Sequence, residues 1–356
     1  MIVVIAGSGS SRAVSKDYPT TVEFVAQLPA AMKLDDGSLL GRVHQALSEE
    51  KSGAPVDIEE ILGRLVALRE FAAEIRANNL FMKTFRPSRG VSVPAPLGEW
   101  VERLLGLQHS DHFERFADIL VGELRERLWL HYSTEPKAEG LEATWMPLLR
   151  GLLELDDDVE LYTLNYDRVL DVALDALPRN SKERHRIERG IYPSAGAFRV
   201  QTDTWRRSAD DLRQGSPNYV LYTKLHGSLN WVKDEKRIVT GAWTQPPRNL
   251  AAAAIVYPEL GKDASSESPF REFYQRLQAS VGQASYVLSV GYAHRDPPIE
   301  AMLKDQRSAP LTILNPAAGI VHGLLEAGFR DTEQISEGLT RASAQQVLDR
   351  IRLASA

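Results

Sequence analysis

The chain opens with Ile2-Val-Val-Ile-Ala-Gly-Ser-Gly-Ser-Ser11, an unbroken apolar run that ends in a glycine-serine turn. Apolar runs without polar alternation predict strands that are buried on both faces of a parallel sheet. Four later runs share the pattern: Val159 to Leu164, Tyr219 to Leu225, Tyr286 to Val290 and Leu311 to Leu314. Helical patterns follow several of them. The sequence therefore predicts an α/β fold, a Rossmann-like doubly wound parallel sheet.

The composition sets broad limits on function. With 356 residues, of which 43% are hydrophobic, the chain can bury a large globular core. Its formal net charge of −6 gives no overall attraction to phosphate backbones, so we expect no direct nucleic-acid partner. The absence of cysteine excludes disulfides, thiolate zinc sites and cysteine nucleophiles. With no membrane-length apolar segment and no signal-peptide pattern, we expect a soluble cytoplasmic protein.

The long interval between the first two predicted strands is helical in pattern. We predict a core formed by residues 1–34 and 151–332, an inserted helical module over residues 35–150 and a C-terminal helix over residues 333–356. Asp57 is the expected cap of one module helix, and Ser110 or Asp111 that of another. The module would be a lid, an oligomer contact or a partner surface; the alternative is a scaffold that covers one face of the sheet.

Two polar stretches of the core are interpreted as irregular. The basic stretch from Lys182 to Arg189 also carries glutamates, and we interpret it as a solvated helical face or a loop. The turn-rich stretch with Trp231, Trp243, Pro246 and Pro247 predicts a hairpin or a loop excursion.

Small and polar residues follow the predicted strands at the edge where open α/β sheets bind ligands. The turn over Gly7, Ser8, Gly9 and Ser11 would let backbone amides approach a diphosphate, or it is only a strand-to-helix turn. After the second and third strands come Asn165, Asp167 and His226. Asn165 and Asp167 could instead cap the next helix, and a lone histidine is more often structural. The placement of His226 and Asn165 on adjacent strand tips favours a reacting centre.

The last two predicted strands end in comparable turns. Gly291 and Tyr292 follow the fourth strand, and Asp296 is the expected cap of the helix after them. Asn315 follows the fifth strand, where its amide would reach an adenine or ribose edge or simply turn the chain.

In order and spacing, these motifs resemble the sirtuin-like superfamily, and more narrowly its bacterial branch of NAD-consuming antiphage defence effectors. The resemblance covers roughly residues 1–30 and 155–330. It rests on Gly7-Ser-Gly-Ser-Ser11 with Pro19-Thr20, Thr163-Leu-Asn-Tyr-Asp167, Lys224-Leu-His-Gly227, Gly291-Tyr-Ala-His-Arg-Asp-Pro-Pro-Ile299 and Leu314-Asn-Pro316.

The resemblance implies that the chain binds NAD as a substrate. Gly7, Ser8, Gly9 and Ser11 would hold the diphosphate and the adjacent ribose. Asp167 would contact the carboxamide, Gly291 would line the adenosine ribose with Tyr292 among the cofactor-binding residues, and Asn315 would lie near the adenine. Asn165 would position the nicotinamide ribose or the attacking water, and His226 would be the general base.

The chain departs from the deacylases of that superfamily, which carry a four-cysteine zinc ribbon. Because it has no cysteine, we expect no metal, and hydrolysis of NAD to nicotinamide and ADP-ribose rather than protein deacylation. Ser8 and Ser10 also replace the usual small and apolar residues of the glycine loop. The alternatives are an NAD- or ADP-ribose-binding sensor or scaffold without turnover, and a deacylase or ADP-ribosyltransferase.

Unrestrained NAD hydrolysis would poison a cell, so such an enzyme needs a trigger. We expect the trigger to act through a homo-oligomer or a separate defence partner. The resemblance implies, as examples of such a partner, a hexameric ATPase or an Argonaute-like protein.

Overall fold

The computed structural model describes residues 1–28, 39–53, 55–77, 110–155, 157–177, 185–189, 191–194, 197–200, 218–234, 237–240, 243, 253–255, 269–305, 307–317 and 319–355. The strands are β1 (Ile2–Ala6), β2 (Val159–Thr163), β3 (His185–Glu188), β4 (Ile191–Ser194), β5 (Ala197–Val200), β6 (Asn218–Lys224), β7 (Gly227–Asp234), β8 (Arg237–Thr240), β9 (Ala253–Ile255), β10 (Tyr286–Val290), β11 (Leu311–Leu314) and β12 (Thr332–Ile335). The helices are α1 (Ser8–Val14), α2 (Thr21–Ala26), α3 (Leu39–Glu50), α4 (Ile58–Ala77), α5 (Ser110–Tyr132), α6 (Ala138–Ala143), α7 (Trp145–Leu153), α8 (Val169–Asp175), α9 (Phe270–Gln283), α10 (Pro297–Asp305), α11 (Ile320–Glu326) and α12 (Arg341–Ser355).

Seven of the described strands form a parallel sheet in the order β12-β11-β10-β1-β2-β6-β3. Its five central strands are the five apolar runs, and each is buried along its whole length. The chain adds β2, β3 and β6 on one side of β1 and then returns to add β10, β11 and β12 on the other. The order therefore reverses at β1, as in a doubly wound sheet, and the predicted fold class is confirmed.

The two edge strands differ from the sequence interpretation. Residues 185–188, expected in a helical face or loop, form β3 beside β6. The C-terminal helix, expected from Glu333, begins only at Arg341, because residues 332–335 form β12 beside β11. Both segments are short and largely polar, as edge strands with little apolar burial tend to be, so neither has the apolar run that marks a buried strand.

A second, antiparallel sheet has the order β4-β5-β8-β7-β9 among the described strands. The predicted hairpin is present as β7 paired with β8. Trp243 lies beyond β8, whereas Pro246 and Pro247 lie outside the described residues. The rest of this sheet was not predicted, since its strands have only three or four residues each.

Helices cover both faces of the parallel sheet. On one face, Val3 and Ile5 of β1 share a core with apolar residues of α9, α10 and α11. On the other face, Ile2, Val4 and Ala6 share a core with residues of α2 to α8 and of α12. Val347, Leu348 and Ile351 of α12 are buried there, as predicted.

The described part of the predicted module, α3 to α7, belongs to this second core. The predicted cap of α4 is confirmed: the Glu60 amide donates to the Asp57 carboxylate at 3.0 Å, and the Asp57 amide donates to the Glu60 side chain at 2.9 Å. Packing against the sheet agrees with the scaffold alternative, and the roles as lid, oligomer contact or partner surface stay predictions. No helix in the described ranges is both long and apolar enough to cross a bilayer.

Candidate active site

The predicted site residues gather at the carboxyl edge of the parallel sheet, where β10, β1, β2 and β6 end side by side. Thr163 of β2 pairs with Lys224 of β6. Asn165 and His226 each lie two residues beyond this pair. The expectation that they occupy adjacent strand tips is therefore confirmed.

The glycine turn after β1 packs backbone to backbone against the turn after β10. The Gly7 amide donates to the Val290 carbonyl at 2.9 Å and the Gly9 amide donates to the Gly291 carbonyl at 3.0 Å. A Cβ on Gly7 would lie 2.6 Å from the Cα of Tyr292, closer than real contacts allow. Loop-to-loop packing thus requires glycine here whether or not a diphosphate binds, and the diphosphate contact stays a prediction.

Asn165 fastens this glycine turn to the end of β2. Its amide nitrogen donates to the Gly7 carbonyl at 3.0 Å and to the Ser11 hydroxyl at 2.9 Å. The Ser11 hydroxyl also bonds the Asp167 carboxylate. Asn165, Ser11 and Asp167 are therefore one buried cluster, in which Asn165 fixes the position of the loop.

Asp167 also caps the helix that follows it, as the alternative interpretation expected. Its carboxylate accepts a hydrogen bond from the Val169 amide at 2.9 Å. Burial raises the pKa of Asp167 in spite of the Ser11 hydrogen bond and the charge of Lys224. Lys224 itself is buried, and its ammonium lies 2.8 Å from the Asp171 carboxylate.

His226 is 2% exposed, and its two ring nitrogens have different surroundings. Nε2 lies 3.0 Å from the Asp296 carboxylate and 3.1 Å from the Tyr274 hydroxyl. Nδ1 is shielded from solvent and has no hydrogen-bond partner among the described residues. An imidazole held on one side with an unbonded nitrogen on the other is suited to accept a proton.

Tyr166 connects His226 to the helical module. Its ring centroid lies 6.4 Å from that of His226, and its hydroxyl donates to the Glu59 carboxylate at 2.7 Å. Glu59 is partly buried at the start of α4. Burial, together with the charges of Asp57 and Asp296, raises the pKa of Glu59 to about 7 against the opposing effects of His226 and Tyr166. The module thus contributes a titratable group to this edge of the sheet.

The turns after β10 and β11 are bound to each other. The Asn315 amide nitrogen donates to the Tyr292 carbonyl at 2.9 Å, and its oxygen accepts from the Ala317 amide at 2.9 Å. The Tyr292 hydroxyl accepts from the Asp296 amide at 3.1 Å. These contacts agree with the turn-forming alternative for Asn315, and its contact with adenine stays a prediction.

Three residues of the site were missed or only half understood in the sequence. Asp296 was expected to cap α10, and its carboxylate does accept from the Ile299 amide at 3.3 Å. Its second oxygen, which contacts His226, was not foreseen. Tyr274 of α9 and Glu59 of α4 lie far from His226 in sequence, and the sequence analysis nominated neither residue for the site.

Part of the chain is similar to a family of known domains. Residues 159–312, less than half of the chain, match the family model described as a SIR2-like domain. A solved structure, described as a mutant Sir2 homologue in complex with 2′-O-acetyl ADP ribose, is 12% identical with a TM-score of 0.43. That match covers 99% of this chain and 92% of the other, and the overall likeness is weak. No curated protein matches the sequence. Residues 159–312, which carry Asn165, His226 and Asp296, are therefore similar to the SIR2-like domain.

Proposed function

We propose that the protein is an NAD⁺ hydrolase that cleaves the bond between nicotinamide and ribose. The observation that carries the proposal is His226, a buried imidazole with one nitrogen held by Asp296 and the other unbonded, on the strand tip beside Asn165. The similarity of residues 159–312 to the SIR2-like domain supports NAD as the substrate.

The proposed reaction adds water across the glycosidic bond. The bond from nicotinamide nitrogen to ribose carbon breaks, its electron pair leaves with nicotinamide, and water adds to the carbon to give ADP-ribose. His226 takes up the proton that the water or a ribose hydroxyl loses, since imidazole is the side chain that most often acts as a general base. Asn165 holds the glycine turn beside β2, and so places the reactants next to the imidazole.

The test is to incubate the purified protein with NAD, alone and together with the product of its neighbouring gene, and to measure nicotinamide and ADP-ribose by chromatography. We expect His226→Ala and Asn165→Ala each to reduce NAD cleavage by at least about 100-fold, since a general base or a positioning group contributes this much. His322→Ala, which changes an exposed histidine of α11, is the matched control and should retain full activity. Normal cleavage by the His226 or Asn165 variant would rule out the assignment.

Two other outcomes would identify different functions. Stoichiometric binding of NAD or ADP-ribose without released nicotinamide would indicate a sensor or scaffold. One observation favours that outcome: the side-chain amides of Asn165 and Asn315 already donate hydrogen bonds to backbone carbonyls within the protein. Cleavage that requires an acylated or acceptor protein would indicate a deacylase or an ADP-ribosyltransferase.

We also propose that the hydrolase serves antiphage defence by depleting cellular NAD, and that a homo-oligomer or a separate partner protein activates it. The shielding of His226 Nδ1 from solvent agrees with a chain that is inactive by itself. Co-expression with the product of a neighbouring gene, followed by size measurement and an NAD assay, tests this control. Full activity of the isolated monomer would contradict it.

A further inference from the structure

Asp296 uses its two carboxylate oxygens for different purposes. Oδ1 accepts from the Ile299 amide at the start of α10, and Oδ2 lies 3.0 Å from His226 Nε2. The Tyr274 hydroxyl donates to the same Oδ2 at 3.3 Å. Asp296, Tyr274 and His226 are all buried, so each of these polar contacts lies in an environment where hydrogen bonds are strong and unmade ones are costly.

We infer that Asp296 holds neutral His226 in the tautomer with the proton on Nε2, and that Nδ1 is the nitrogen that accepts the proton in the proposed NAD cleavage. In this tautomer the Nε2 proton is donated to the carboxylate and the unbonded Nδ1 carries a lone pair. The first half of the inference concerns the protein alone, whereas the second half rests on the proposed function.

The opposite tautomer is unfavourable on both sides of the ring. The Nε2 lone pair would face the carboxylate oxygen at 3.0 Å, where neither atom carries a proton. The Tyr274 hydroxyl, 3.1 Å from Nε2, could donate to this lone pair only by giving up its hydrogen bond to the Asp296 carboxylate. The Nδ1 proton would be a buried donor without an acceptor among the described residues. An unmet buried donor costs free energy, and the close contact between two unprotonated acceptor atoms adds to that cost.

The groups that face His226 come from four elements. Asp296 precedes α10, Tyr274 lies on α9 and Tyr166 follows β2. Glu59, at the start of α4, is hydrogen-bonded to Tyr166 and interacts with the charge of His226 only when the ring is protonated. Burial opposes ionisation of Asp296, but the hydrogen bond from His226, the charge of His226 when it is protonated, and the hydrogen bonds from Ile299 and Tyr274 lower its pKa below the ordinary value. Asp296 therefore remains the acceptor that the Nε2–H tautomer requires.

Asp296 is a positioning residue in this scheme, since it acts on the reactants only through His226. When the reaction proceeds, a proton moves from water or a ribose hydroxyl to Nδ1, and the resulting imidazolium is stabilised by the Asp296 carboxylate. Because Nδ1 is shielded from solvent, the reactants must displace a neighbouring side chain to reach it.

Asp296→Asn separates the two purposes of the residue. Asparagine caps helices as well as aspartate, so its oxygen can keep the hydrogen bond from Ile299. Its NH₂ group then faces Nε2 as a donor, and this should move the ring proton to Nδ1. Tyr274→Phe removes the hydroxyl but leaves the carboxylate, and should keep the proton on Nε2. Asp349→Asn, on the exposed side of α12, is the matched control.

The experiment is ¹⁵N NMR of the full chain labelled at histidine, with His226 assigned by comparison with His226→Gln. We expect Nδ1 of the wild type to have the shift of an unprotonated nitrogen and Nε2 that of a protonated one. The two should exchange roles in Asp296→Asn and stay unchanged in Tyr274→Phe and Asp349→Asn. For NAD cleavage we expect Asp296→Asn to lower kcat by at least about 100-fold at an unchanged KM.

A wild-type His226 with its proton on Nδ1 would overturn the inference, as would an Asp296→Asn variant with the wild-type tautomer and wild-type kcat. The NMR result does not depend on turnover. If the wild type has the expected tautomer and Asp296→Asn inverts it, but no NAD is cleaved, the positioning by Asp296 stands and the proposed function fails.

Discussion

Gly291 lies where the turn after β10 packs against the glycine turn after β1. Its φ of +60° lies in the region that favours glycine, and a Cβ there would lie 2.2 Å from the Ser10 amide nitrogen and 2.5 Å from the Gly9 carbonyl carbon. Both neighbours are backbone atoms in a loop that Asn165 fastens to β2. They cannot move without moving the predicted diphosphate loop.

We predict that Gly291→Ala lowers the free energy of unfolding by at least about 2 kcal/mol and weakens binding of ADP-ribose, because strain and a backbone clash coincide. Chemical denaturation and calorimetry measure the two effects. Gly319→Ala is the control, since Gly319 has a φ of +84° but open space around the added Cβ. It should lose some stability and keep ligand affinity; equal behaviour of the two variants would contradict the loop-packing explanation.

At the scale of single elements, helix α4 both covers the sheet and carries a carboxylic acid, Glu59, whose pKa is raised. Its capped first turn places Glu59 against Tyr166, and the pKa of Glu59 is raised from 4.5 to about 7, mainly by burial. The folded protein therefore holds this proton more tightly than the unfolded chain. The resulting stabilisation is complete below about pH 4.5 and is lost as the pH rises to about 7 and beyond.

Glu59→Gln mimics the protonated acid and can still accept from Tyr166. We predict equal stability of variant and wild type near pH 4.5, and a variant more stable by about 1–3 kcal/mol near pH 8. Urea denaturation at the two pH values measures this difference. Glu123→Gln, at an exposed position of α5, should show no pH-dependent difference. A Glu59→Gln variant that loses stability at pH 8 would show that the carboxylate is instead stabilised there.

At the scale of the whole molecule, a buried ionic network joins the sheet to the helices of one face. Glu160 of β2 is fully buried, and its carboxylate contacts Arg276 of α9 and the hydroxyls of Tyr162, Tyr219 and Ser280. The carboxylate is thus surrounded by donors. This network lies at the second residue of β2, away from the strand tips that carry the candidate site.

We predict that Arg276→Met destabilises the fold by about 3–5 kcal/mol, because it leaves a buried carboxylate without its counter-charge. Arg352→Met changes a half-exposed arginine of α12 whose partner Asp349 is also exposed, and should cost less than about 1 kcal/mol. Urea denaturation compares the two. Adding Glu160→Gln to Arg276→Met should recover part of the loss, and a loss below about 1 kcal/mol for Arg276→Met alone would show that the network contributes little.

The sequence by itself determined the central sheet and the edge that carries the site. The five central strands are apolar along their whole length because helices cover both sheet faces. Such an unbroken apolar run can be recognised in the sequence of the strand alone, without knowledge of the elements that pack on it. Asn165 and His226 could be nominated from local sequence, because a residue just after a parallel strand necessarily lies at its carboxyl edge.

Only the tertiary structure decided which groups surround them. Asp296 contacts His226 although it lies 70 residues later in the chain. Glu59 contacts Tyr166 although it lies 107 residues earlier. The polar edge strands β3 and β12 likewise depend on neighbours for their hydrogen bonds rather than on their own composition. Apolar periodicity tells which face of a helix is buried, but the side chains that meet at a sheet edge are set by how the helices pack on the sheet, and no local pattern encodes that packing.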